Sequence, residues 1–336
     1  MDVAVDDWRE GLITDLLRPL RLRGSRSFRP EYSAPWSFSH PVEEWGVFHL
    51  VVRGHCWLQS NALTGPLQLS AGDLVIVLRG GDHVLADAPG RSPRNFFDLV
   101  ERNPPDAARR LRVTGDGDLT ELLCGGWEFE DHATDPLLAA LPPVIHIHGD
   151  NGLPARSLQA TVTHLVDELD SSRPGAEGVV TRLADIMFIQ AVRAYFEENA
   201  DSTATGWFAA LRDRQIGRAL ALLHRQPDQP WTVALLAHRV GASRSAFASR
   251  FTSLVGEPPV QYLTRVRLHT ACRRLRGHEK LSVIARSAAY ESMSAFCKAF
   301  KRQVGLTPGE YRRLHRSQGS DAQHSGTPSA GEGKIA

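Results

Sequence analysis

No stretch of this 336-residue chain is an apolar run long enough to span a bilayer, which takes roughly 18 residues or more, so a helical membrane protein is excluded. The N-terminus, MDVAVDDWRE, lacks the basic segment and following apolar run of a secretory signal. Cysteine is scarce. Cys56, Cys124, Cys272 and Cys297 lie far apart and form no CxxC pair, so the chain is no disulfide framework and a reducing cytoplasm is its expected home. Net charge is nearly absent as well, at +1. Such a length predicts two domains, each able to bury its own core.

The chain also carries a repetition. WTVALLAHRVGASRSAFASRFTSLVGEPPVQYL is echoed by KLSVIARSAAYESMSAFCKAFKRQVGLTPGEYR. Val233, Ala237 and Val240 return as Leu281, Ala285 and Ala288; one residue further out of step, Ser243, Phe247, Phe251, Gly256, Pro259 and Tyr262 return as Ser292, Phe296, Phe300, Gly305, Pro308 and Tyr311. Each copy predicts two short helices. The first helix carries an i, i+3, i+4, i+7 stripe, Val233, Leu236, Ala237 and Val240 in one copy and Leu281, Ile284, Ala285 and Ala288 in the other. Gly241 supplies a turn, Ser243 stands at a helix N-cap position, and the next helix faces inward through Phe247, Phe251 and Leu254. Two helices meeting at so tight a corner make a helix-turn-helix.

The missing net charge hides a polarised molecule. From Leu211 to Arg316 there are 20 Lys and Arg against 6 Asp and Glu, a net of +14, and the remainder carries −13. A basic domain built on paired helix-turn-helix units suits a polyanion, because each phosphate neutralised releases condensed counterions.

The words LAHRVGASRSAFASRF and YESMSAFCKAFKRQVGLTPGEYRR resemble the DNA-binding domain of AraC/XylS-type transcription regulators, over roughly 100 residues. One departure is Ala289, which stands where that family's second turn usually has Gly; if the position needs positive φ, Ala costs about 1 kcal/mol there. With the phenylalanines inward, Arg244, Ser245, Ala248 and Ser249 are expected outward, where the resemblance implies base contacts, with Arg250 near phosphate. In the second copy the outward set is Met293, Ser294, Cys297 and Lys298, with Lys301, Arg302, Arg312 and Arg313 expected on phosphates. Pro259 to Arg276 predicts one long helix between the copies, burying Leu268, Ala271, Cys272 and Leu275.

Residues Asp6 to Arg23 read as a helix. Then VFHLVVRGHCWLQ, PLQLSAGDLVIVL and DLTELLCGGWEF are short apolar runs broken by turn residues, the pattern of an all-β sandwich or barrel. Arg91 to Leu111, polar and proline-bearing, reads as a surface loop whose arginines face water. Residues 7–147 resemble the cupin-type sensor domain of the same regulators. Gly72 to His83 follows the second cupin motif, G-x5-P-x-G-x2-H, with Leu78 in place of the proline, while the paired histidines of the first motif are missing and only His49 remains. His49, His83 and Cys124 could converge as ligands for zinc or another divalent metal, or form a polar core cluster. Cys56 and Cys124 are candidate redox sensors, or plain buried thiols.

Two helices are expected next, at about Ala155–Leu169 and Glu177–Glu197, the second with an apolar band wide enough for a domain contact or a homodimer. Trp207–His224 reads as one helix, and the Ser- and Gly-rich end from Ser317 as a disordered tail. The chain is thus expected to be an α+β two-domain protein: a cupin-like domain (1–150), connecting or dimerisation helices (151–205), a double helix-turn-helix domain (206–316) and a tail (317–336). Its expected role is that of a dimeric, non-enzymatic transcription regulator, responding to a small molecule or oxidant and partnered by double-stranded DNA and RNA polymerase. The rivals are a metal-dependent cupin enzyme carrying a DNA-binding domain and an architectural DNA binder without a signal.

Overall fold

A computed structural model describes residues 12, 17, 22–40, 45–79, 82–106, 109–129, 137–138, 141–149, 152–171, 173–198 and 207–321. The strands are β1 (Leu22–Ser33), β2 (Ser37–His40), β3 (Trp45–Arg53), β4 (His55–Ser60), β5 (Leu67–Ser70) and β6 (Leu74–Val77). They continue with β7 (His83–Ala86), β8 (Arg94–Asn95), β9 (Arg110–Val113), β10 (Leu119–Phe129) and β11 (Val144–Ile147). These make two sheets, ordered β11-β6-β3-β10-β1-β9 and β5-β4-β7-β2-β8, so the expected barrel is an open pair of sheets of jelly-roll type. Neighbours pair antiparallel except β1 with β9 and β2 with β8. Alternation along each strand sends one set of side chains between the sheets. Tyr32, Phe38, Val51, Leu58, Leu85 and Leu122 meet there in one core.

The stretch expected to be a loop contains a short helix, α1 (Phe96–Arg102). Asn95 caps it, its side chain accepting from the Phe97 N–H, and Phe96 and Leu99 are buried. The polar, proline-bearing sequence around those phenylalanines masked their amphipathic spacing. The N-terminal helix lies largely outside the described residues; Leu12 and Leu17 are helical, and the chain is already strand at Leu22.

Helices α2 (Gly152–Asp170) and α3 (Ala176–Glu198) arrive within a few residues of the expected bounds. Much of the wide apolar band of α3 is covered: Val180, Ala184, Met187, Phe188, Ala191 and Val192 are buried, and Phe188 meets Trp127 and Phe129 of β10 at ring-centroid distances of 5.1 and 5.4 Å. This explains why β6 is buried on both sides. Val75 and Val77 enter the core between the sheets, while Leu74 and Ile76 face the opposite way, as Phe48 does where it packs on Trp127. The two helices and the sheets form one compact unit, and the helices from Trp207 onward form another.

In the second unit the expected Trp207–His224 helix is two, α4 (Trp207–Arg212) and α5 (Arg214–Arg225). Asp213 makes the break, its carboxylate accepting from the Gln215 and Ile216 N–H groups at 2.9 Å each, as a helix N-cap does. The repeat follows as α6 (Val233–Val240) and α7 (Arg244–Val255), α8 (Pro259–Leu275), then α9 (Leu281–Ser287) and α10 (Met293–Val304). Helix α11 (Pro308–Asp321) runs past the expected start of the tail. Val233, Leu254 and Leu281 are half-buried rather than interior.

Both corners of the repeat use the same backbone geometry. Gly241 has φ +71°, and the N–H of Ala242 bonds back to the Ala237 carbonyl at 2.9 Å. Ala289 has φ +59°, and the N–H of Tyr290 bonds back to the Ala285 carbonyl at 3.1 Å. Such left-handed corners suit glycine, and Ala289 adopts one without it. A Cβ on Gly241 would meet nothing within 4 Å, so only backbone strain is at stake there. Ala289→Gly is therefore expected to stabilise the chain by about 0.5–1 kcal/mol and Gly241→Ala to destabilise it by about 1 kcal/mol, measured by urea unfolding. Equal stability of Ala289→Gly and the natural chain would contradict the strain at that corner.

Candidate nucleic-acid interface and domain cavity

The two candidate reading helices are started in the same way. Ser243 accepts from the Ala246 N–H at 3.3 Å, and Ser292 from the Ala295 N–H at 3.1 Å. Phe247 and Phe251 turn inward on α7, as Phe296 and Phe300 do on α10. Arg244, Ser245, Ser249 and Arg250 are consequently exposed, as are Met293, Ser294, Lys298, Lys301 and Arg302. Ala248 and Cys297 differ from expectation. Each follows one buried phenylalanine and precedes the next by three residues, so each is half-buried at the edge of the outward face, and Cys297 packs against the core.

Two arginines have work inside the domain. Arg250 pairs with Asp213, the cap of α5, while its own side chain stays 62% exposed. Arg312 donates to the carbonyls of Leu275 at 3.2 Å and Glu279 at 2.6 Å, securing the chain that leaves α8. This occupies the guanidinium that was expected on phosphate.

In the other unit, His49, His83 and Cys124 do come together. Nδ1 of His49 lies 3.0 Å from the Cys124 Sγ, and its Nε2 lies 2.8 Å from Nε2 of His83. Strand pairing builds this, since β3 and β10 bring His49 directly opposite Cys124. Burial pulls the His49 imidazole well below its ordinary range and His83 down to about 3. Burial likewise pushes the Cys124 thiol up, so at neutral pH the trio carries no charge. Either the thiol donates to His49 and His49 to His83, or His83 donates to His49 and His49 to sulfur.

Such a trio is a chain rather than a cage. His49 turns its two ring nitrogens to different partners, so the three donors do not converge on one point. Among the described residues, no group of three or more His, Cys, Asp or Glu side chains is placed to hold a metal ion. The zinc expectation thus finds no fitting donor set, and the polar-cluster alternative describes the arrangement.

His49 and Cys124 also line a cavity of about 710 Å³, together with Phe28, Val47, Phe96 and Val100. Its scale and apolar walls are those of a small-molecule site. Cys56 stands elsewhere, fully buried in the core between the sheets, with burial pushing its thiol up to about 12. Redox sensors need accessible thiols of lowered pKa, and Cys56 is the opposite.

Comparison with known proteins agrees with both halves. Residues 12–197 match the family described as cupin, and residues 236–314 match the helix-turn-helix domain family. A putative AraC-like transcription regulator of Streptomyces lividans is 35% identical over 303 residues, covering 90% of this chain and 97% of that protein. The chain belongs to the AraC-like transcription regulators. Another relative of this AraC-like regulator is the HTH-type transcriptional regulator AlkR of Acinetobacter baylyi, 30% identical over 90% of this chain and 98% of its own. Among solved structures, the DNA-binding domain of AdpA in complex with a target DNA is 32% identical, covering 30% of this chain and 93% of that one, with a TM-score of 0.29. The family places a DNA-binding helix-turn-helix domain after a cupin-like ligand-binding domain, and this regulator has both. No helix among its described residues is long and apolar enough to cross a membrane.

Sequence reasoning missed Asp213, Arg109, Glu177 and Ser27. Asp213 followed by apolar positions at helical spacing was a readable N-cap signal; the other three carry no local pattern. The burial of the thiols sets their order of reaction. With iodoacetamide at neutral pH, the half-buried Cys297 is expected to be alkylated first, and Cys56, Cys124 and Cys272 only on unfolding, as followed by peptide mass spectrometry. Rapid labelling of Cys124 in the folded protein would restore the redox-sensor reading.

Proposed function

We propose that this AraC-like regulator reads a promoter through the outward faces of α7 and α10, and that a small molecule held in its cupin-like domain changes its affinity for that site. The observation carrying the proposal is the duplication of an exposed reading face above a buried aromatic pair, in a domain of net charge +14. Arg244 and Lys298 can donate to guanine O6 and N7, and Ser245, Ser249 and Ser294 can contact any base. Lys301, Arg302 and Arg313 supply phosphate contacts, and Arg250 contributes while tethered by Asp213. Two heads joined through α8 favour successive major grooves on one face of the duplex, about 10 base pairs apart, or closer on bent DNA.

The apolar cavity, with uncharged His49 and Cys124 in its wall, favours a small molecule over an oxidant as the signal. A second copy of the chain is the proposed assembly partner: Val179 and Ile186, seven residues apart on α3, remain 45% and 44% exposed while Val180, Met187 and Val192 are buried. RNA polymerase is the proposed protein partner and the cytoplasm the proposed compartment.

The reading helices can be tested on a site found by genomic footprinting of the full chain. Lys298→Ala is expected to cost about 1–3 kcal/mol on that site and to relax base preference at one position. Arg302→Ala should weaken all sequences alike and flatten the salt dependence. Unchanged affinity and preference in Lys298→Ala, measured by fluorescence anisotropy, would remove α10 from the reading surface.

A further inference from the structure

Apart from its histidines, the charged groups in the wall of the cavity sit at one place. Arg109 is the one guanidinium or ammonium group among the described residues that line it, and it faces Glu177, another lining residue, at 3.4 Å. The pair sits largely in water, with the two side chains 36% and 81% exposed. An ion pair so exposed holds weakly, because water competes for both partners.

The root of Arg109 is nevertheless fixed. Its backbone is left-handed, at φ +56°, which is costly for a residue with a side chain. Its N–H donates to the Asp106 carbonyl at 2.8 Å, and its own carbonyl accepts from the Arg29 N–H at 2.9 Å. The structure thus sustains a strained backbone that anchors the base of this guanidinium beside the cavity.

Two lining groups offer a ligand something to bind: Phe97 keeps an open face beside its ring contacts with Phe96 and His40, and Ser27 has an unpaired hydroxyl. Phe97 is 58% exposed, a large aromatic surface in the wall of an apolar cavity. Ser27 is 2% exposed, and its hydroxyl has no hydrogen-bond partner. A buried hydroxyl left unpaired is destabilising, and an oxygen on a bound molecule would satisfy it.

We propose that the cavity takes an organic monocarboxylate with an aromatic or branched apolar body, whose carboxylate replaces Glu177 on Arg109. This rests on the reading of the cupin-like domain as the ligand-responsive half and adds the chemical class of the ligand and the contact it breaks. The apolar body covers Phe97 and fills the space between Phe28, Phe96 and Val100. The carboxylate meets Arg109 beside apolar walls, where water competes less than it does for the exposed Glu177. Glu177 lies in the first turn of α3, so its release loosens the start of the helix that carries Val179 and Ile186. The end of α2 stays held, because Asp170 is bound by Arg29 at 2.5 Å and by Arg110 at 3.0 Å.

The test is calorimetric titration of the full-length chain with 4-phenylbutanoate, 4-phenylbutanamide and 4-phenylbutylamine, which share a body and differ in charge. The acid is expected to bind at least tenfold more tightly than the amide or the amine. Arg109→Gln should abolish that preference. Glu177→Gln, at an exposed position, should tighten acid binding several-fold and leave the amide unchanged, a gain that misfolding cannot mimic. Equal binding of acid and amide, tighter binding of the amine, an intact preference in Arg109→Gln, or no binding of any probe at millimolar concentration would overturn the proposal. Anisotropy on the footprinted site, without probe, reports separately: DNA binding retained alongside no acid preference sinks only the ligand class, whereas loss of site-specific DNA binding sinks the regulator reading itself.

Discussion

The reading surface depends on an aromatic contact made twice. Phe247 packs on Phe251 and Phe251 on Tyr262, with ring centroids 5.7 and 5.8 Å apart; Phe296, Phe300 and Tyr311 repeat the arrangement at 5.6 and 5.6 Å. In each copy two rings one helical turn apart on the reading helix meet a tyrosine on the helix that follows, and this fixes the rotation of the reading helix about its own axis. All that is outward follows from that choice. Rotating α10 by one residue would bury Cys297 fully and swing Lys298 toward the core, so the rings decide the side chains available to a base.

The corners before these helices complete the constraint. A left-handed residue closes the first helix, and two or three residues later a serine side chain opens the second. Much of this was legible, because a helix cap and a left-handed turn are local matters of a few neighbouring residues. Ser243, Ser292, Gly241 and the odd Ala289 all announced themselves in sequence, and the structure gives Ala289 the positive φ that its position demands. The i, i+3, i+4, i+7 stripe of α8 was legible for the same reason, and Leu268, Ala271, Cys272 and Leu275 are all buried.

What could not be read is long-range. The apolar band of α3 had a visible width but no visible partner, since its cover is a sheet face made largely of strands more than fifty residues away. Helix α1 was hidden because the prolines and arginines flanking it outweighed two adjacent phenylalanines. The convergence of His49, His83 and Cys124 could be anticipated from strand parity, yet parity says which side a residue faces and not which atom it meets. That His49 splits its two nitrogens between sulfur and imidazole, and so makes a relay rather than a metal cage, is a matter of side-chain rotation that no spacing encodes.

The helix pair α2–α3 is tied to its sheets in two unequal ways, and the inequality bears on how a signal is passed. At Asp170, burial works to raise the carboxyl, but hydrogen bonds from Arg110 and Arg29 and their charge outweigh it and hold the group below its usual range. Arg29, only 12% exposed, also meets Glu121 on β10, so this anchor ties the end of α2 into a charge network on the sheet. At Glu177 the tie is a single exposed pair, worth about 0–1 kcal/mol. A ligand moves an equilibrium only by the difference between its affinities for the two states, and couplings between sites run at about 1–3 kcal/mol. A free energy of that size exceeds the tie at Glu177, whereas Asp170 is held by two arginines at once. Under the proposed ligand exchange at Arg109, the start of α3 is thus the weaker tie and the end of α2 the stronger one.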